Sequence, residues 1–176
     1  FSQFYSLDEE KEVTVFFFFS EEFVRLQNEI NTICDEMATA DELDELMDRY
    51  QNVMDQFQAI DGDFYESNIR KQLKIANLKD YENHLLTNLS GGEFKLIQVI
   101  REMMISPKFI IMDEPDVFLD FEHLNALKNL INSHKGTLLV ITHNRYLLNH
   151  CFNKILHLEN AELQEFDGTY VDYNFA

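Results

Sequence analysis

In LSGGEFKLIQVIREMMISPKFIIMDEP, Leu89 to Pro115, a helical pattern gives way to a strand pattern. Gly91 and Gly92 open an amphipathic helix, and Pro107 closes it because proline has no backbone N–H to donate. The apolar run Phe109 to Met112 is short and continuous, as in strands buried on both faces of a parallel sheet. The stretch therefore predicts a glycine-opened helix leading into a buried strand.

A second strand pattern occupies Thr137 to Thr142, and a helical pattern over about Phe121 to Ser133 separates it from the first. This succession predicts a strand, helix, strand unit of an α/β fold with a parallel sheet. Near the end of the chain, Lys154 to Leu158 and Glu162 to Phe166 flank a connection of hairpin length. We expect these two segments to form an antiparallel β-hairpin.

Two long helices are predicted ahead of this unit, because apolar residues step by three and four along both. The two series are Phe23, Leu26, Ile30, Ile33 and Met37, then Leu43, Leu46, Tyr50, Val53, Phe57 and Ile60. Seams of this kind indicate two helices that pack as an antiparallel hairpin. We place its tip at Ala38 to Asp41, where Thr39 and Glu42 have the spacing of a capping box for the second helix.

The hairpin is expected to end at Asp61 and Gly62, since glycine tolerates the left-handed geometry of a helix stop. A third helix, over about Phe64 to Ala76, then leads to the loop before Leu89. A chain of 176 residues, 45% of them hydrophobic, is long enough for one domain with an insertion.

The net charge of −18 is concentrated in the first part of the chain. Residues 1–66 hold 18 acidic and 3 basic side chains, whereas residues 67–176 hold 14 and 11. Such a surface repels phosphate backbones, so no direct DNA binding is expected. A solvated acidic helical face is the simplest interpretation of this charge.

The apolar runs and the cysteines bear on where the protein works. The longest unbroken apolar run, Val15 to Phe19, is far shorter than the roughly 20 residues that span a bilayer. Cys34 and Cys151 lie far apart without a CxxC spacing, which fits a reducing compartment better than a disulfide framework. We therefore expect a cytoplasmic protein.

A carboxylate pair, Asp113 and Glu114, directly follows the first strand, at the edge where open α/β sheets bind ligands. There Asp113 can orient Mg²⁺, while Glu114 polarises the water that attacks a γ-phosphate. His143 follows the second strand and can hydrogen-bond a terminal phosphate in the same crevice. The alternatives are acidic residues that only cap a strand and a histidine with a structural role.

The tetrapeptide Leu89 to Gly92 stands directly before a helix. Its glycines permit close backbone approach, the helix N-terminus presents unpaired amides to anions, and Ser90 adds a hydroxyl donor. By itself such a stretch is often an ordinary turn and cap. Followed by a strand that ends in Asp113, it favours a nucleotide site.

Taken in order, these motifs resemble those of ATP-binding-cassette (ABC) ATPases. LSGGE resembles the ABC signature, IIMDEP the Walker B strand, Asp116 to Asp120 the D-loop, and THNRY the segment of the switch histidine. The opening Phe1, Ser2 and Gln3 resemble the Q-loop, whose glutamine contributes to the Mg²⁺ and water site in that family. The resemblance implies ATP and Mg²⁺ as cofactors and a nucleotide held between two cassettes.

The resemblance also implies a role for each site residue. Glu114 and His143 would be catalytic, and Asp113 and Gln3 would serve the metal. The residues implied at the nucleotide are Ser90, Gly91, Gly92, Gln3 and Asp120. Of these, Ser90 to Gly92 would reach the nucleotide held by the second cassette.

Within the ABC superfamily, the helical hairpin resembles the arm of ABC-F proteins, which are soluble tandem ATPases that act on ribosomes. THNRYLLN resembles the SHDRYFL pattern of that subfamily, and FDGTYVDY, Phe166 to Tyr173, resembles its closing YxGNYSxY segment. This implies the N-terminal cassette of a translation factor or of a ribosomal antibiotic-protection protein. The alternatives are the ATP-binding subunit of an ABC membrane transporter and a non-catalytic helical interaction module.

The sequence departs from the family in two respects. No GxxxxGK[ST] run occurs in it, so we expect the chain to begin after the Walker A loop and to be unable to hydrolyse ATP alone. The D-loop also lacks the usual Asn-His before its Leu-Asp. The expected division is Q-loop and lead-in (1–20), hairpin arm (21–61), signature helical subdomain (62–107) and the Walker B, D-loop and switch-histidine part of the core (108–176).

Overall fold

The computed structural model describes residues 13–175 of the chain. In chain order the elements are α1 (Val15–Met37), α2 (Asp44–Ala59), α3 (Tyr65–Ile75), α4 (Gly91–Ile105), β1 (Phe109–Asp113), α5 (Phe121–Ser133), β2 (Thr137–Ile141), α6 (Arg145–Cys151), β3 (Lys154–Glu159), β4 (Glu162–Asp167) and α7 (Tyr170–Phe175). Single turns of 3-10 helix occur at Gly62–Phe64 and Leu86–Asn88. No helix within this range is long and apolar enough to cross a membrane.

The first helix of the hairpin is longer than its heptad seam predicts, because it includes the phenylalanine run. It begins at Val15, where the Thr14 hydroxyl caps it by accepting from the Phe17 amide at 3.2 Å. Phe18 and Phe19 are buried in the core together with Val15. The expected division between residues 20 and 21 therefore falls inside one continuous helix.

The base of the hairpin is joined to α3 and α4 by aromatic and polar contacts. The ring of Phe23 stacks on those of Phe57 and Tyr65, at centroid distances of 5.8 and 4.8 Å. The Tyr65 hydroxyl donates to the Phe19 carbonyl, and Arg101 of α4 donates from Nε to the Phe18 carbonyl at 3.2 Å. The amino-terminal half of α1 is therefore part of the core, while its carboxyl-terminal half packs with α2 as the arm.

The capping box expected at the tip is wrong. Helix α2 begins at Asp44, and its N-cap, Leu43, makes no side-chain capping bond. The Thr39 amide instead donates to the Glu36 carbonyl at 3.3 Å, which continues the last turn of α1. Thr39 is thus too far from Asp44 to cap α2, although the turn itself lies where the sequence placed it.

The expectation that a left-handed glycine ends α2 is also wrong. Asp61 takes the positive φ of 55°, and Gly62 begins the 3-10 turn that follows. Glycine is needed at position 62 for space, since a Cβ there would lie 2.4 Å from the Phe57 ring. The end of α2 therefore lies where the sequence predicts it. Glycine is required at position 62 by the packing of Phe57, and the left-handed residue is Asp61.

The strands β1 and β2 pair in parallel, with Phe109 opposite Thr137 and Asp113 opposite Ile141, as expected. Burial alternates along β1, where Ile110 and Met112 are buried and Phe109 is 53% exposed. The expectation that both faces are buried is therefore wrong, because α4 and α5 cover one face only among the described elements.

The C-terminal strands β3 and β4 form the predicted antiparallel hairpin. Their turn residues Asn160 and Ala161 have φ values of 52° and 63°, which suits the tight turns that join twisted strands. Helices α6 and α7 were not predicted, since each is only six or seven residues long.

Candidate active site

The site is built at the carboxyl ends of β1 and β2, which meet at one edge because the strands are parallel. The Glu114 amide donates to the Ile141 carbonyl at 2.7 Å and so extends the pairing by one residue. Glu114 then takes φ of 47°, a left-handed conformation that costs a non-glycine residue of the order of 1 kcal/mol or more. The chain turns sharply there, and the Glu114 side chain stays at the sheet edge.

The turn brings two of the predicted catalytic side chains together. His143 Nε2 lies 3.7 Å from Glu114 Oε1, and the two side chains are 90% and 46% exposed. Asp113 is also exposed, directly before Glu114. The Glu114 carboxylate and the His143 imidazole are therefore close together and open to a ligand at this edge of the sheet.

The loop after Glu114 forms two successive turns. The Val117 amide donates to the Glu114 carbonyl at 3.3 Å, and the Leu119 amide donates to the Asp116 carbonyl at 3.2 Å. In the second of these turns, Phe118 takes φ of 66° and is 98% exposed. The predicted D-loop is therefore a compact, hydrogen-bonded structure with an aromatic ring at its tip.

Asp120 ends this loop as the N-cap of α5. Its Oδ1 accepts from the His123 amide at 2.9 Å and lies 2.8 Å from His123 Nδ1. The bond from the His123 amide lowers the pKa of Asp120, and the nearby imidazole adds to this. Asp120 is thus ionised and oriented by α5, so its contacts are those of a helix cap.

The signature segment adopts the glycine-opened helix start that the sequence predicts. Ser90 Oγ accepts from the Glu93 amide and Glu93 Oε1 accepts from the Ser90 amide, both at 3.2 Å, which is a reciprocal capping box. Burial raises the pKa of Glu93, but bonds from Ser90 and Tyr81 outweigh it and lower the pKa overall. Because Ser90 Oγ only accepts in the cap, its own proton stays available for a ligand.

The two glycines of the signature have different surroundings. A Cβ on Gly91 would meet nothing within 4 Å, whereas one on Gly92 would lie 2.7 Å from Nδ1 of His123. Gly91 therefore leaves open space at the start of α4. Gly92 lets α4 approach α5, and this contact joins the signature segment to the end of the D-loop.

The structure thus brings Glu114 and His143 together, with Asp113 directly before Glu114 in the chain, and joins Gly92 to Asp120 through His123. Gln3 lies outside the described residues. Three residues that were given no individual role from the sequence also contact this region: Lys95, Asp116 and Thr142. Position in the sequence could have indicated two of these residues, since Asp116 directly follows the DEP motif and Thr142 directly precedes His143.

The donor set fits a metal that is held partly by its substrate. No group of three or more His, Cys, Asp or Glu side chains that could hold a metal ion occurs in residues 13–175. Mg²⁺ is commonly bound through one or two carboxylates together with substrate phosphates. Asp113, an exposed carboxylate beside Glu114, matches that mode of binding.

The chain is similar in sequence to known proteins that include an ATP-binding protein. No protein-family model matches the chain. The chain is 31% identical over 145 residues, 81% of its length, to the energy-dependent translational throttle protein EttA of Mycobacterium tuberculosis (strain H37Rv). It is 29% identical over 150 residues, 82% of its length, to YfmM of Bacillus subtilis (strain 168), an uncharacterized ABC transporter ATP-binding protein.

The chain spans only about a quarter of these relatives, since the matches cover 25% and 29% of their lengths. Among solved structures, an ATP-binding cassette of an ABC transporter aligns with 94% of this chain and 59% of its own, with a TM-score of 0.53 and 22% identity. The expected α/β fold, with its small parallel sheet and β-hairpin, is thereby confirmed. The relatives and structural neighbours of this chain are ABC ATP-binding cassette proteins.

Proposed function

We propose that the chain is part of one cassette of an ABC-F type ATPase, which as a whole binds and hydrolyses ATP with Mg²⁺ and acts on the ribosome. The observation that carries the ATPase assignment is the 3.7 Å approach of His143 Nε2 to Glu114 Oε1 at the ends of two parallel strands. Asp113 beside them supplies the carboxylate that the metal requires. Mg²⁺, when bound, would neutralise phosphate charge and orient the γ-phosphate for attack.

In this proposal each side chain has a separate task. Glu114 orients the attacking water and accepts a hydrogen bond from it, while His143 donates a hydrogen bond to the terminal phosphate. Asp113 holds the metal through its carboxylate. Gln3 would contribute to the same metal and water site, and Asp120 would act at the nucleotide through the D-loop.

The signature segment serves a second nucleotide site, held by another ABC cassette of the same polypeptide or of a dimer. Ser90, Gly91 and Gly92 present a free hydroxyl proton and helix amides to phosphate oxygens. The open space above Gly91 supports this role, since a ligand can approach its backbone closely. Each cassette would thus complete the site of the other.

The ribosomal role is supported by the hairpin of α1 and α2 and by the likeness to EttA, a protein named for translational throttling. A translation factor and an antibiotic-protection protein both fit. The two widely separated cysteines support a cytoplasmic location for such a protein. A transporter ATP-binding subunit is the second candidate, favoured by the likeness to YfmM.

The substitution Glu114→Gln tests the ATPase assignment in the full-length protein. It keeps the shape of the side chain and removes its charge, so ATP binding should persist while turnover falls by about 100-fold or more. Glu122→Gln, an exposed acid on α5, is the control and should leave turnover unchanged. Unchanged turnover in Glu114→Gln would remove the assignment.

Two further measurements separate the remaining alternatives. The full-length Glu114→Gln protein should pellet with ribosomes only when ATP is present, and no association would favour a transporter partner. The 176-residue chain alone should show no Mg²⁺-dependent ATP turnover, since it has no GxxxxGK[ST] run to hold the phosphates. Robust turnover by the chain would refute that expectation.

A further inference from the structure

Asp116 and Thr142 form a short hydrogen bond between the two loops that carry Glu114 and His143. Thr142 Oγ1 donates to Asp116 Oδ1 at 2.7 Å, and this partly buried bond joins residues 26 positions apart. The same hydroxyl oxygen accepts from the Asn144 amide at 3.0 Å. Thr142 therefore fixes the backbone on both sides of His143, and Asp116 fixes Thr142.

The loop that carries Asp116 is also held from the signature helix. Lys95, in the second turn of α4, lies with Nζ 3.3 Å from the Val117 carbonyl and 3.5 Å from the Glu114 carbonyl. Burial lowers the pKa of Lys95, while the charges of Asp116 and Glu114 oppose that effect. Two backbone carbonyls of the loop thus accept from the ammonium group of Lys95.

From this arrangement we propose that Asp116 is a positioning residue, which through Thr142 sets the separation between His143 and Glu114, on a loop that Lys95 holds to the signature helix. The inference rests on the proposed function, because it concerns the alignment of the two proposed catalytic side chains. Neither Asp116 nor Thr142 is required to touch the nucleotide.

The bond between Asp116 and Thr142 could instead have only a structural role, and that alternative predicts different effects of its loss. If the bond only stabilised the loops, its loss would lower the free energy of unfolding and leave turnover per folded molecule unchanged. If it positions His143, its loss lowers kcat while the KM for ATP stays constant, since binding groups are intact. The two partners should then act as one unit and not additively.

The kinetic test uses Thr142→Val, Asp116→Ala and the double variant in the full-length protein. Each single variant should lower kcat by about 10-fold, and the double variant should be no worse than either. Thr142→Ser, which keeps the hydroxyl, should restore kcat. Thr137→Val, at the exposed start of β2, is the matched control and should have the same kcat as the unchanged protein.

A second measurement on the 176-residue chain does not need ATP hydrolysis. The ring resonances of His143 should shift in NMR spectra on Glu114→Gln, because the two side chains are adjacent, and this shift should disappear in the Thr142→Val background. Amide exchange of Asn144 should rise by about 10-fold in Thr142→Val and return to normal in Thr142→Ser.

The outcomes separate the two proposals. Additive kinetic losses, or a Thr142→Val protein with normal kcat, would overturn the positioning role of Asp116. A full-length protein that hydrolyses no ATP would overturn the proposed function. The His143 response to Glu114→Gln would then decide alone whether Asp116 and Thr142 align the pair, and a response that persists in Thr142→Val would refute it.

Discussion

The imidazole of His123 lies directly over Gly92, so that a Cβ at position 92 would come within 2.7 Å of Nδ1. Because His123 also contacts Asp120 at 2.8 Å, its ring has little freedom to move away. The close approach of α4 and α5 therefore depends on the absence of a side chain at position 92. A second glycine, Gly91, shares the helix start without this constraint.

Gly92→Ala should lower the free energy of unfolding by about 1–3 kcal/mol, the usual cost of overpacking. Gly91→Ala should change stability in the opposite direction, by up to about 1 kcal/mol, because alanine favours the helix and nothing lies near its Cβ. Urea unfolding of both variants measures the difference. Equal losses of unfolding free energy in the two variants would contradict the contact between Gly92 and His123. Adding His123→Ala to Gly92→Ala should restore part of the lost stability.

Gly136→Ala should be the most damaging of the glycine substitutions. A Cβ there would lie 1.9 Å from the Pro107 carbonyl, a backbone atom just before β1. The adjacent Thr137 amide donates to the Lys108 carbonyl at 2.8 Å. The substitution would therefore break this hydrogen bond, which lies at the start of the pairing between β1 and β2. We expect a loss of more than about 3 kcal/mol, seen as a lower urea midpoint. A midpoint like that of Gly91→Ala would show that this approach is absent.

Tyr65→Phe should weaken the base of the arm, because it removes the hydroxyl that donates to the Phe19 carbonyl. The expected loss near pH 8 is about 1 kcal/mol in the free energy of unfolding. Circular dichroism during urea unfolding measures it. Tyr170→Phe, on the terminal helix α7, provides a control that should have little effect.

The same pair of proteins should differ in pH dependence. Burial raises the pKa of Tyr65 to about 12 in the folded chain, against an ordinary value of 10.0. The neutral phenol is therefore favoured by folding, and its contribution is complete below about pH 10 and disappears as the pH approaches 12. The stability advantage over Tyr65→Phe should shrink across that window. A constant difference from pH 8 to 12 would contradict the burial of the hydroxyl.

The chain should not bind RNA or DNA through its arm. Residues 21–61 hold 12 acidic side chains and two arginines. Arg25 is paired with Glu22 at 2.6 Å and Glu29 at 2.9 Å, and Arg49 is paired with Glu36 at 2.9 Å. Neither arginine is available for a phosphate without leaving a carboxylate unpaired.

Filter binding with single- and double-stranded RNA at about 50 mM salt tests this, since electrostatic attraction is strongest at low salt. The unchanged chain should retain no RNA. A variant that carries Asp41→Lys, Glu42→Lys and Glu45→Lys at the tip should retain more. Equal retention by both proteins would show that the charge of the arm does not control nucleic-acid binding.

The elements that the sequence predicted best are those where periodicity and boundary residues agree. Helix α5 spans Phe121–Ser133 as expected, and α4 starts at Gly91 and ends before Pro107. Hydrophobic period indicated the type of both elements, and glycine and proline marked the ends of α4. The pairing of Glu114 with His143 also followed, because the ends of parallel strands share one edge.

Errors arose where tertiary contacts override a local pattern. The run Phe16 to Phe19 has no helical period, yet it lies in α1, with Phe18 and Phe19 buried in the core and Phe17 exposed. The Thr39 and Glu42 spacing fits a cap, but α1 continues into that turn. The bond between Asp116 and Thr142 joins residues far apart in sequence, so no local rule could indicate it.

The single helix α1 has a mechanical consequence. Its first turns are fastened to α3 and α4 through Tyr65 and Arg101, and its last residues, from Phe23 to Met37, extend about 21 Å at the rise of an α-helix. A tilt of about 10° at the fastened end would displace the far end by about 4 Å, by the same geometry. Because α1 is one continuous helix, any small tilt at its fastened base would be enlarged at the tip of the hairpin.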